Sequence, residues 1–363
     1  MPKIKITFLF PARCFTPTGG YKVVYEYANR LTKDGYEVTL IYPCFLYDFK
    51  RRGFLNVLRY IKAFITYLKT IIHKPNYASN WFNLNEKVKE RTVISLHHNF
   101  IPKSDIYIAT AVQTAMSLNK NPCSNNKKYY LIQDFESWNG ITPEMVIQTY
   151  NYNMRSIVIS TWLKEIVEKY NSECTLIPNG FDFNYFKTYI HPQNRNKYSI
   201  ALLYHTDERK GVNDSLNALN IVKELYPDLQ VNAFGVPKRP VNMPDWFTYY
   251  QRPDKDTLNK IYNESSIFIG ASIVEGWGLT IGEAMICSCA VACTDNNGFK
   301  EMAIDNETAL LSPIKQSQEL AKNIIRLIED RELRVRIALN GNKYIQEFNW
   351  EKSYNKFKEY LGI

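Results

Sequence analysis

The feature that most constrains the fold is an alternation of short apolar runs with longer helical patterns, which starts at the N-terminus and restarts once. Segment 3–10 has the composition of a buried strand, and 19–35 repeats Val23, Tyr27 and Leu31 on one helical face. Alternating strands and helices predict parallel strands with helices on both faces of the sheet. The predicted fold class is therefore α/β, built from doubly wound sheets.

Further strands and helices are predicted along the rest of the chain. The strands lie at 37–43, 92–96, 105–110, 129–133, 157–161, 175–178, 199–205, 229–235, 267–272 and 290–295. Helices are predicted at 211–226 and near the C-terminus, where Trp350, Tyr354, Phe357 and Leu361 recur at helical spacing.

Segment 187–197 is polar, contains Pro192 and is the predicted linker between the two halves of the alternation. A chain of 363 residues is too long for one ordinary core and fits two domains. We predict a Rossmann-like domain over 1–190, completed by a helix at 347–363, and a second Rossmann-like domain over 191–346. Because ligands of such sheets bind at the carboxyl ends of the strands, we expect the two domains to face each other across a cleft.

The chain carries 45 Lys and Arg residues against 36 Asp and Glu residues, a formal net charge of +9. A basic balance favours anionic partners, namely nucleic acid, an anionic membrane or a polyphosphate ligand. No recognisable nucleic-acid-binding motif accompanies the charge, so we expect no nucleic-acid partner.

Seven cysteines occur without a CxxC pair, and Cys287, Cys289 and Cys293 lack a His at zinc-site spacing. We interpret these three as small apolar side chains in a buried helix end and strand. Free thiols indicate a reducing compartment, and Arg13 stands where a signal peptide needs small residues. The sequence therefore predicts a cytoplasmic protein, or one that is peripheral at the inner face of the plasma membrane.

Segment 271–302 carries two glutamates separated by seven residues. Glu275 lies in the glycine-rich turn EGWG after a predicted strand, and Glu283 lies inside the helix that follows. Backbone N–H groups at that helix start suit a phosphate, and the predicted donor-binding positions there are Gly276, Gly278, Leu279 and Thr280. One carboxylate can then hold a sugar and the other a ribose. The competing interpretation is a solvated loop acid and an ordinary helix acid.

Two other strand ends carry candidate residues. Arg209 and Lys210 follow the first strand of the second domain, with His205 before them, and can stabilise a departing diphosphate without a metal. Gly19 and Gly20 open a helix after the first strand, where a backbone can approach a phosphate or sugar closely. A surface loop and a simple turn are the competing interpretations, and His205 is also read as a polar strand-end residue.

The order of these segments resembles glycosyltransferase family 4, a retaining family with the GT-B fold. The resemblance rests on PTGGYKVVYEYANRLTKDGYEVTLIYP (17–43), IPNGFDFNYF (177–186), RKG (209–211), EGWGLTIGEAM (275–285), NNGFKEMAIDNETALLSP (296–313) and FNWEKSYNKF (348–357). DIYIAT (105–110) and YYLIQDFESW (129–138) resemble more narrowly the bacterial rhamnosyltransferases of this family.

The resemblance implies that Glu275 binds the hydroxyls of the donor sugar, Glu283 the ribose and Lys210 the diphosphate. Retention would follow from front-face attack, with the leaving phosphate helping to deprotonate the acceptor. No divalent metal would be needed, and no cofactor beyond the nucleotide-sugar donor. Asp134 is a candidate catalytic residue of the first domain, although an acid there is also typical of a loop or helix cap.

Two positions depart from the family pattern. Tyr204 stands where the family has a further arginine, so Arg209 is expected to supply that charge. Gln133 stands where the family often has histidine. The motif DKD at 254–256 matches the metal-binding DxD of other glycosyltransferases, but its position favours a helix N-cap, and we predict no metal site.

The predicted function is a retaining glycosyltransferase that moves a sugar from a nucleotide-diphosphate donor to a glycan or lipid-linked acceptor in surface polysaccharide synthesis. The alternatives are a nucleotide-sugar epimerase or phosphorylase of similar fold, and a basic protein that binds nucleic acid or membrane without catalysis.

Residues 50–74 include seven Lys or Arg residues and no acidic residue. The predicted apolar face holds Phe54, Leu58, Ile61, Ile65, Leu68 and Ile72, and the predicted polar face holds Arg59, Lys62, Thr66, Lys69 and His73. A membrane span is disfavoured, since three central charges cost roughly 8–10 kcal/mol. Two interpretations stay open: an interfacial helix that docks on anionic lipid through Arg59, Lys62 and Lys69, or a helix packed on its own sheet with a basic outer face.

Overall fold

The computed structural model describes residues 3–47, 49, 53–73 and 81–363. The chain divides into two compact units. The first unit comprises Met1–Pro178 with Tyr354–Ile363, and the second comprises Asn179–Ser353.

The first unit is built on a sheet of seven parallel strands in the order β3-β2-β1-β4-β5-β6-β7. The strands are β1 Lys5–Leu9, β2 Glu37–Pro43, β3 Lys89–Val93, β4 Ile106–Ala109, β5 Lys128–Ile132, β6 Arg155–Val158 and β7 Cys174–Leu176. Ile6, Phe8 and Leu9 of β1 are fully buried, as expected for a parallel sheet covered on both faces.

The helices of the first unit connect these strands. They are α1 Gly19–Lys33, α2 Gly53–His73, α3 Val112–Asn119, α4 Pro143–Tyr150 and α5 Thr161–Val167. The last helix of the chain also contributes, because its residues from Tyr354 onward belong to this unit. There Tyr354 and Lys358 donate hydrogen bonds to Asp34 at 2.8 and 2.7 Å.

The second unit is built on six parallel strands in the order β10-β9-β8-β11-β12-β13. The strands are β8 Ser199–Leu203, β9 Gln230–Gly235, β10 Phe247–Gln251, β11 Ile267–Gly270, β12 Ala290–Thr294 and β13 Ala309–Ser312. The helices are α6 Val212–Leu225, α7 Lys255–Glu264, α8 Leu279–Ile286, α9 Ser317–Glu329 and α10 Arg331–Ile345. The last helix, α11 Trp350–Leu361, begins in this unit and continues into the first.

Two parallel sheets with connecting helices confirm the predicted α/β class. Strand β2 has the predicted bounds, whereas β3 begins three residues before the predicted 92–96. Strand β10 was not predicted, because FTYYQ is aromatic and polar rather than an apolar run. Its partner β9 and the residue Phe247, which packs into the core, hold it at the edge of the sheet.

The predicted linker 187–197 packs against the second unit. Arg195 is buried and donates to four backbone carbonyl oxygens at 2.5–3.1 Å, those of Ile190, Tyr262, Ser265 and Cys287. The Asn263 side chain accepts from the backbone N–H of Tyr189 at 2.8 Å. Most of the segment is exposed, as its polar composition suggests, but the buried Pro192 and Arg195 attach it to the second unit.

Helix α2 is amphipathic, but its orientation is the reverse of one predicted alternative. Asn56 and Ala63 are buried, with exposures of 4% and 6%, and Arg59 is partly buried between them. The predicted apolar face is exposed, and Ile61 and Ile65 are 53% and 49% accessible. The prediction of a packed helix with a basic outer face is therefore wrong, because a polar and small stripe meets the unit and apolar side chains face outward.

Arg59 does not lie on a docking face, which corrects its predicted role. Its guanidinium donates to the Leu46 carbonyl oxygen at 3.3 Å and to Asn56 Oδ1 at 3.2 Å. It also lies 5.9 Å from the ring centre of Phe45. Arg59 therefore anchors α2 to its own unit.

None of the described helices, α2 included, has the length and apolarity needed to cross a membrane. His73 and residues 50–52 and 74 of the predicted segment lie outside the side chains that the structure describes.

Candidate active site

The order of strands in the second unit reverses between β8 and β11, which are neighbours in the sheet although α6 to α7 separate them in sequence. The crevice outside the carboxyl ends of two such strands is where ligands of open α/β sheets bind. Strand β8 leads into 204–211 and β11 into 271–278. Both segments contain predicted site residues.

The structure brings Lys210 and Glu275 together at this crevice. The ammonium nitrogen of Lys210 lies 2.7 Å from Glu275 Oε1, and Ser272 Oγ donates to the same oxygen at 2.8 Å. Both charged side chains are partly accessible. An ammonium group has three N–H donors, and this contact uses one of them.

Close packing of backbones holds the two loops in register. The Ile273 N–H donates to the Arg209 carbonyl oxygen at 2.7 Å. Gly211 has φ +60°, and a Cβ there would lie 1.8 Å from the Ala271 carbonyl oxygen. A glycine is needed because both the backbone conformation and the space exclude a side chain. The position of Lys210 relative to Glu275 is thus fixed by the main chain.

Arg209 is directed toward its own loop. Its guanidinium forms an ion pair with Asp207 at 2.6 Å, and the Asp207 carboxylate also accepts the Arg209 backbone N–H. The hydrogen bonds from Arg209 lower the pKa of Asp207 to about 2. His205 Nδ1 accepts the Asp207 N–H at 2.9 Å, and burial lowers the pKa of His205, favouring a neutral ring beside Lys210.

Helix α8 begins at the same crevice without a side-chain cap. Its N-cap residue is Gly278 at φ +101°, where a Cβ would approach the Phe299 ring to 2.6 Å. Leu279 and Thr280 form the first turn, and Gly276 precedes it in the loop. The positive end of the helix dipole and the N–H groups of this turn suit an anion.

Glu283 lies on the second turn of α8 and is only 6% exposed. The Tyr262 hydroxyl is 3.4 Å from its Oε2. Because most of the Glu283 carboxylate is buried within its own unit, a ligand would contact only its accessible edge.

The first unit has a comparable crevice between β1 and β4, where its strand order reverses. Gly19 and Gly20 start α1 after β1. A Cβ on Gly20 would lie 3.3 Å from Gln133 Nε2, so the glycine pair adjoins the end of β5. Gln133 Oε1 is buried and has no hydrogen-bond partner within the part of the chain that the structure describes.

Glu136 is a residue that the sequence reasoning missed. Its carboxylate accepts the Val112 N–H at 2.7 Å, at the start of α3. Burial raises the pKa of Glu136 to about 7, and nearby Asp134 adds to the shift. Asp134 itself accepts the N–H of Phe135 at 2.8 Å, as a loop acid does. The only sequence signal for Glu136 was its place just after a strand.

Asp254 is an N-cap, as predicted, because its side chain accepts the Thr257 N–H at 2.8 Å. Among the described residues no cluster of three His, Cys, Asp or Glu could hold a metal ion. Cys287, Cys289 and Cys293 are buried as predicted, and burial raises the pKa of the Cys289 thiol to about 11.

Comparisons with known proteins match part of the chain to glycosyltransferases. Residues 188–344 match the family described as glycosyl transferases group 1. An uncharacterized glycosyltransferase of Methanocaldococcus jannaschii is 32% identical over 101 residues, 28% of this chain and 29% of that protein. The phosphatidyl-myo-inositol mannosyltransferase of Mycobacterium tuberculosis is 23% identical over 198 residues, 51% of this chain and 52% of its own length. The matches thus span about half or less of these relatives.

Solved structures resemble the chain over nearly its whole length. Sucrose-phosphate synthase from Thermosynechococcus elongatus has a TM-score of 0.74 at 16% identity, covering 98% of both chains. Anabaena HepE in complex with UDP-glucose has a TM-score of 0.71 at 17% identity, covering 99% of both chains. These likenesses concern the fold.

Proposed function

We propose that the chain transfers a sugar from a nucleotide-diphosphate donor, because residues 188–344 match the group 1 glycosyl transferases and the chain has the GT-B fold. The fold expected from the order of motifs is confirmed, and the glycosyltransferase match over 188–344 agrees with the expected resemblance, whereas membership in family 4 stays a prediction. The observation that carries the proposal is the Lys210–Glu275 pair beside the start of α8, since it joins a cation, a carboxylate and backbone N–H groups at one crevice.

The donor's sugar and diphosphate are assigned to opposite members of this pair. Glu275 accepts hydrogen bonds from sugar hydroxyls, because a carboxylate can accept from two neighbouring hydroxyls at once. Lys210 directs its two other N–H donors to the diphosphate, together with the first turn of α8, Gly278 to Thr280. The ion pair between them holds both side chains in place before the donor arrives.

The nucleoside is assigned to the second turn of α8. The accessible edge of Glu283 accepts the ribose hydroxyls, and Tyr262 fixes the carboxylate from behind. His205, whose pKa burial lowers, is assigned to the same crevice as a contact of the sugar donor. Gly276 leaves room for the donor in the turn before the helix.

The reaction is proposed to retain the anomeric configuration. The acceptor oxygen forms a bond to the anomeric carbon on the face from which the diphosphate departs, and the bond between that carbon and the phosphate oxygen breaks. The acceptor proton passes to the leaving phosphate. Lys210 stabilises the charge that develops on this phosphate, in the role that a divalent cation has elsewhere. Arg209, which is paired with Asp207 in this structure, would have to leave that ion pair to assist.

The acceptor is proposed to be a glycan or a lipid-linked sugar used in surface polysaccharide synthesis. A relative named for mannosyl transfer to phosphatidyl-myo-inositol supports a lipid-linked acceptor. Gly19, Gly20 and the buried Gln133 oxygen mark the crevice of the first unit as a second ligand position, with Asp134 next to it.

A panel of nucleotide sugars tests the donor assignment. A donor at a hundred times its Kd stabilises the protein by about 2.7 kcal/mol, so its melting temperature should rise by several degrees. The same donor should release nucleoside diphosphate, with sugar transferred to an added acceptor. Interconversion of sugars without release would instead indicate an epimerase, and release that requires inorganic phosphate would indicate a phosphorylase.

Two further measurements test the roles. Glu283→Ala should weaken binding of the free nucleoside diphosphate, whereas Glu275→Ala should spare that binding and reduce turnover. Activity should persist in excess chelator. Loss of activity that manganese or magnesium restores would contradict the metal-independent mechanism.

A further inference from the structure

Helix α2 exposes apolar side chains that a water-facing helix would normally bury. Its exposed large apolar residues are Phe54, Leu55, Val57, Leu58, Tyr60, Ile61, Phe64, Ile65, Leu68 and Ile72. Contiguous exposed patches of this kind mark interaction sites in folded proteins. Nothing in the described part of the chain covers them.

Helical geometry arranges these residues around one direction. At 100° per residue, Phe54, Ile61, Ile65, Leu68 and Ile72 centre on the side opposite the buried Ala63. The side that meets the unit is instead polar or small. The helix therefore points its apolar face away from the protein.

Basic residues border this apolar face. Lys62 and Lys69 are exposed and lie seven residues apart, hence on one flank of the helix. No acidic residue occurs anywhere in 49–85. Ammonium groups at the flank of an apolar face can reach lipid phosphates while their carbon stems stay with the apolar residues.

We propose that α2 is an interfacial helix that seats the first unit on an anionic lipid bilayer, with Ile61, Ile65 and Leu68 in the acyl boundary and Lys62 and Lys69 on headgroups. A bilayer fits better than a second copy of this chain, since a copy would bring the same excess of positive charge to the contact. Arg59 takes no part, because it is engaged within its own unit. The surface does not depend on the proposed chemistry and is tested without a donor.

The experiment measures partition of the whole chain onto vesicles of phosphatidylcholine with phosphatidylglycerol at low salt. The double change of Lys62→Gln and Lys69→Gln should lower the partition coefficient roughly thirty-fold, because it removes about one ionic contact with the bilayer for each lysine. The control Lys103→Gln with Lys120→Gln removes the same charge from exposed positions of the same unit and should leave binding within about two-fold of wild type.

The apolar contribution is tested separately. Ile61→Gln with Ile65→Gln and Leu68→Gln should lower binding about a hundred-fold and keep the melting temperature, because these side chains are already exposed. The proposal would be overturned if the triple variant bound the vesicles as well as the wild type does. It would also be overturned if wild-type binding to phosphatidylglycerol vesicles vanished in moderate salt, because the contact would then be general electrostatics. A wild-type dimer that the triple change dissociates, and that vesicles leave intact, would overturn the proposal as well.

Discussion

The two units present an acidic residue at the crevice of similar parallel sheets, yet they stabilise it differently. In the second unit Glu275 faces the ammonium group of Lys210 and the hydroxyl of Ser272. In the first unit the described partner of Glu136 is a backbone N–H, and burial raises the pKa of the carboxyl to about 7. The first arrangement suits a group that must keep its charge near an anionic donor, and the second suits a group that exchanges a proton near neutral pH.

The largest expected effect comes from breaking the pair in the second unit. Lys210→Met or Glu275→Gln should each lower kcat about 10²–10³-fold, because each removes a charge placed at the reacting groups. Lys322→Met, which breaks an exposed pair of equal length with Glu319, is the control and should keep full activity.

The double variant Lys210→Met with Glu275→Gln should lose less than the product of the two single losses, since the residues act as one contact. Full activity of Glu275→Gln, with unchanged folding, would remove the pair from the reaction. Steady-state kinetics with the donor found by the panel decides this.

A smaller effect distinguishes the glycines of the two crevices. Gly211→Ala forces a Cβ onto a carbonyl oxygen at a positive φ and should cost about 2–4 kcal/mol of unfolding free energy. Gly20→Ala meets only the tip of the Gln133 side chain at 3.3 Å and should cost under about 1 kcal/mol. Denaturant unfolding measures both. An equal cost would mean that the loops at the second crevice adjust as easily as those at the first.

The pH dependence of stability tests the first unit. The folded chain keeps a proton on Glu136 up to about pH 7, whereas the unfolded chain loses it near pH 4.5. The free energy of unfolding should therefore fall as pH rises from about 5 to 7.5, and Glu136→Gln should remove about 2 kcal/mol of that fall. Denaturation at several pH values measures it, with Glu144→Gln, an exposed acid at a helix start, as the control. If the free energy of unfolding depended on pH equally in both variants, the conclusion that the folded chain keeps a proton on Glu136 would be wrong.

Much of the fold could be predicted from the sequence, because a run of apolar residues directly indicates a buried segment. Strand β2 was located with its observed bounds, and Asp254 was correctly read as a cap from its place before a helical pattern. Strand β10 was not predicted because FTYYQ is aromatic and polar rather than an apolar run, and only Phe247 of it is buried. The pattern of 50–74 predicted an amphipathic helix but not which face would pack, because that depends on the neighbouring surface.

The candidate site was predictable where a motif brought several residue types together. Lys210 and Glu275 were singled out in separate segments, and the structure places them in contact, although their roles stay predictions. Glu136 was not found, since its pKa depends on loss of solvent in the folded unit rather than on neighbours in sequence. The pairing of Arg209 with Asp207 also needed coordinates, because the sequence offers several acids nearby.

Arg195 has a practical consequence for anyone who cuts the chain into pieces. Segment 187–197 looks like a natural boundary at which to cleave or truncate the chain, because it is polar and contains proline. Yet its arginine is tied to four carbonyl oxygens, and Asn263 holds Tyr189 beside it. A fragment starting after this segment would lose Arg195 and leave the carbonyl oxygens of Tyr262, Ser265 and Cys287 without this donor, at a cost of about 1–3 kcal/mol for each that stays buried and unpaired. A fragment boundary is better placed upstream, near Pro178, where the two compact units divide.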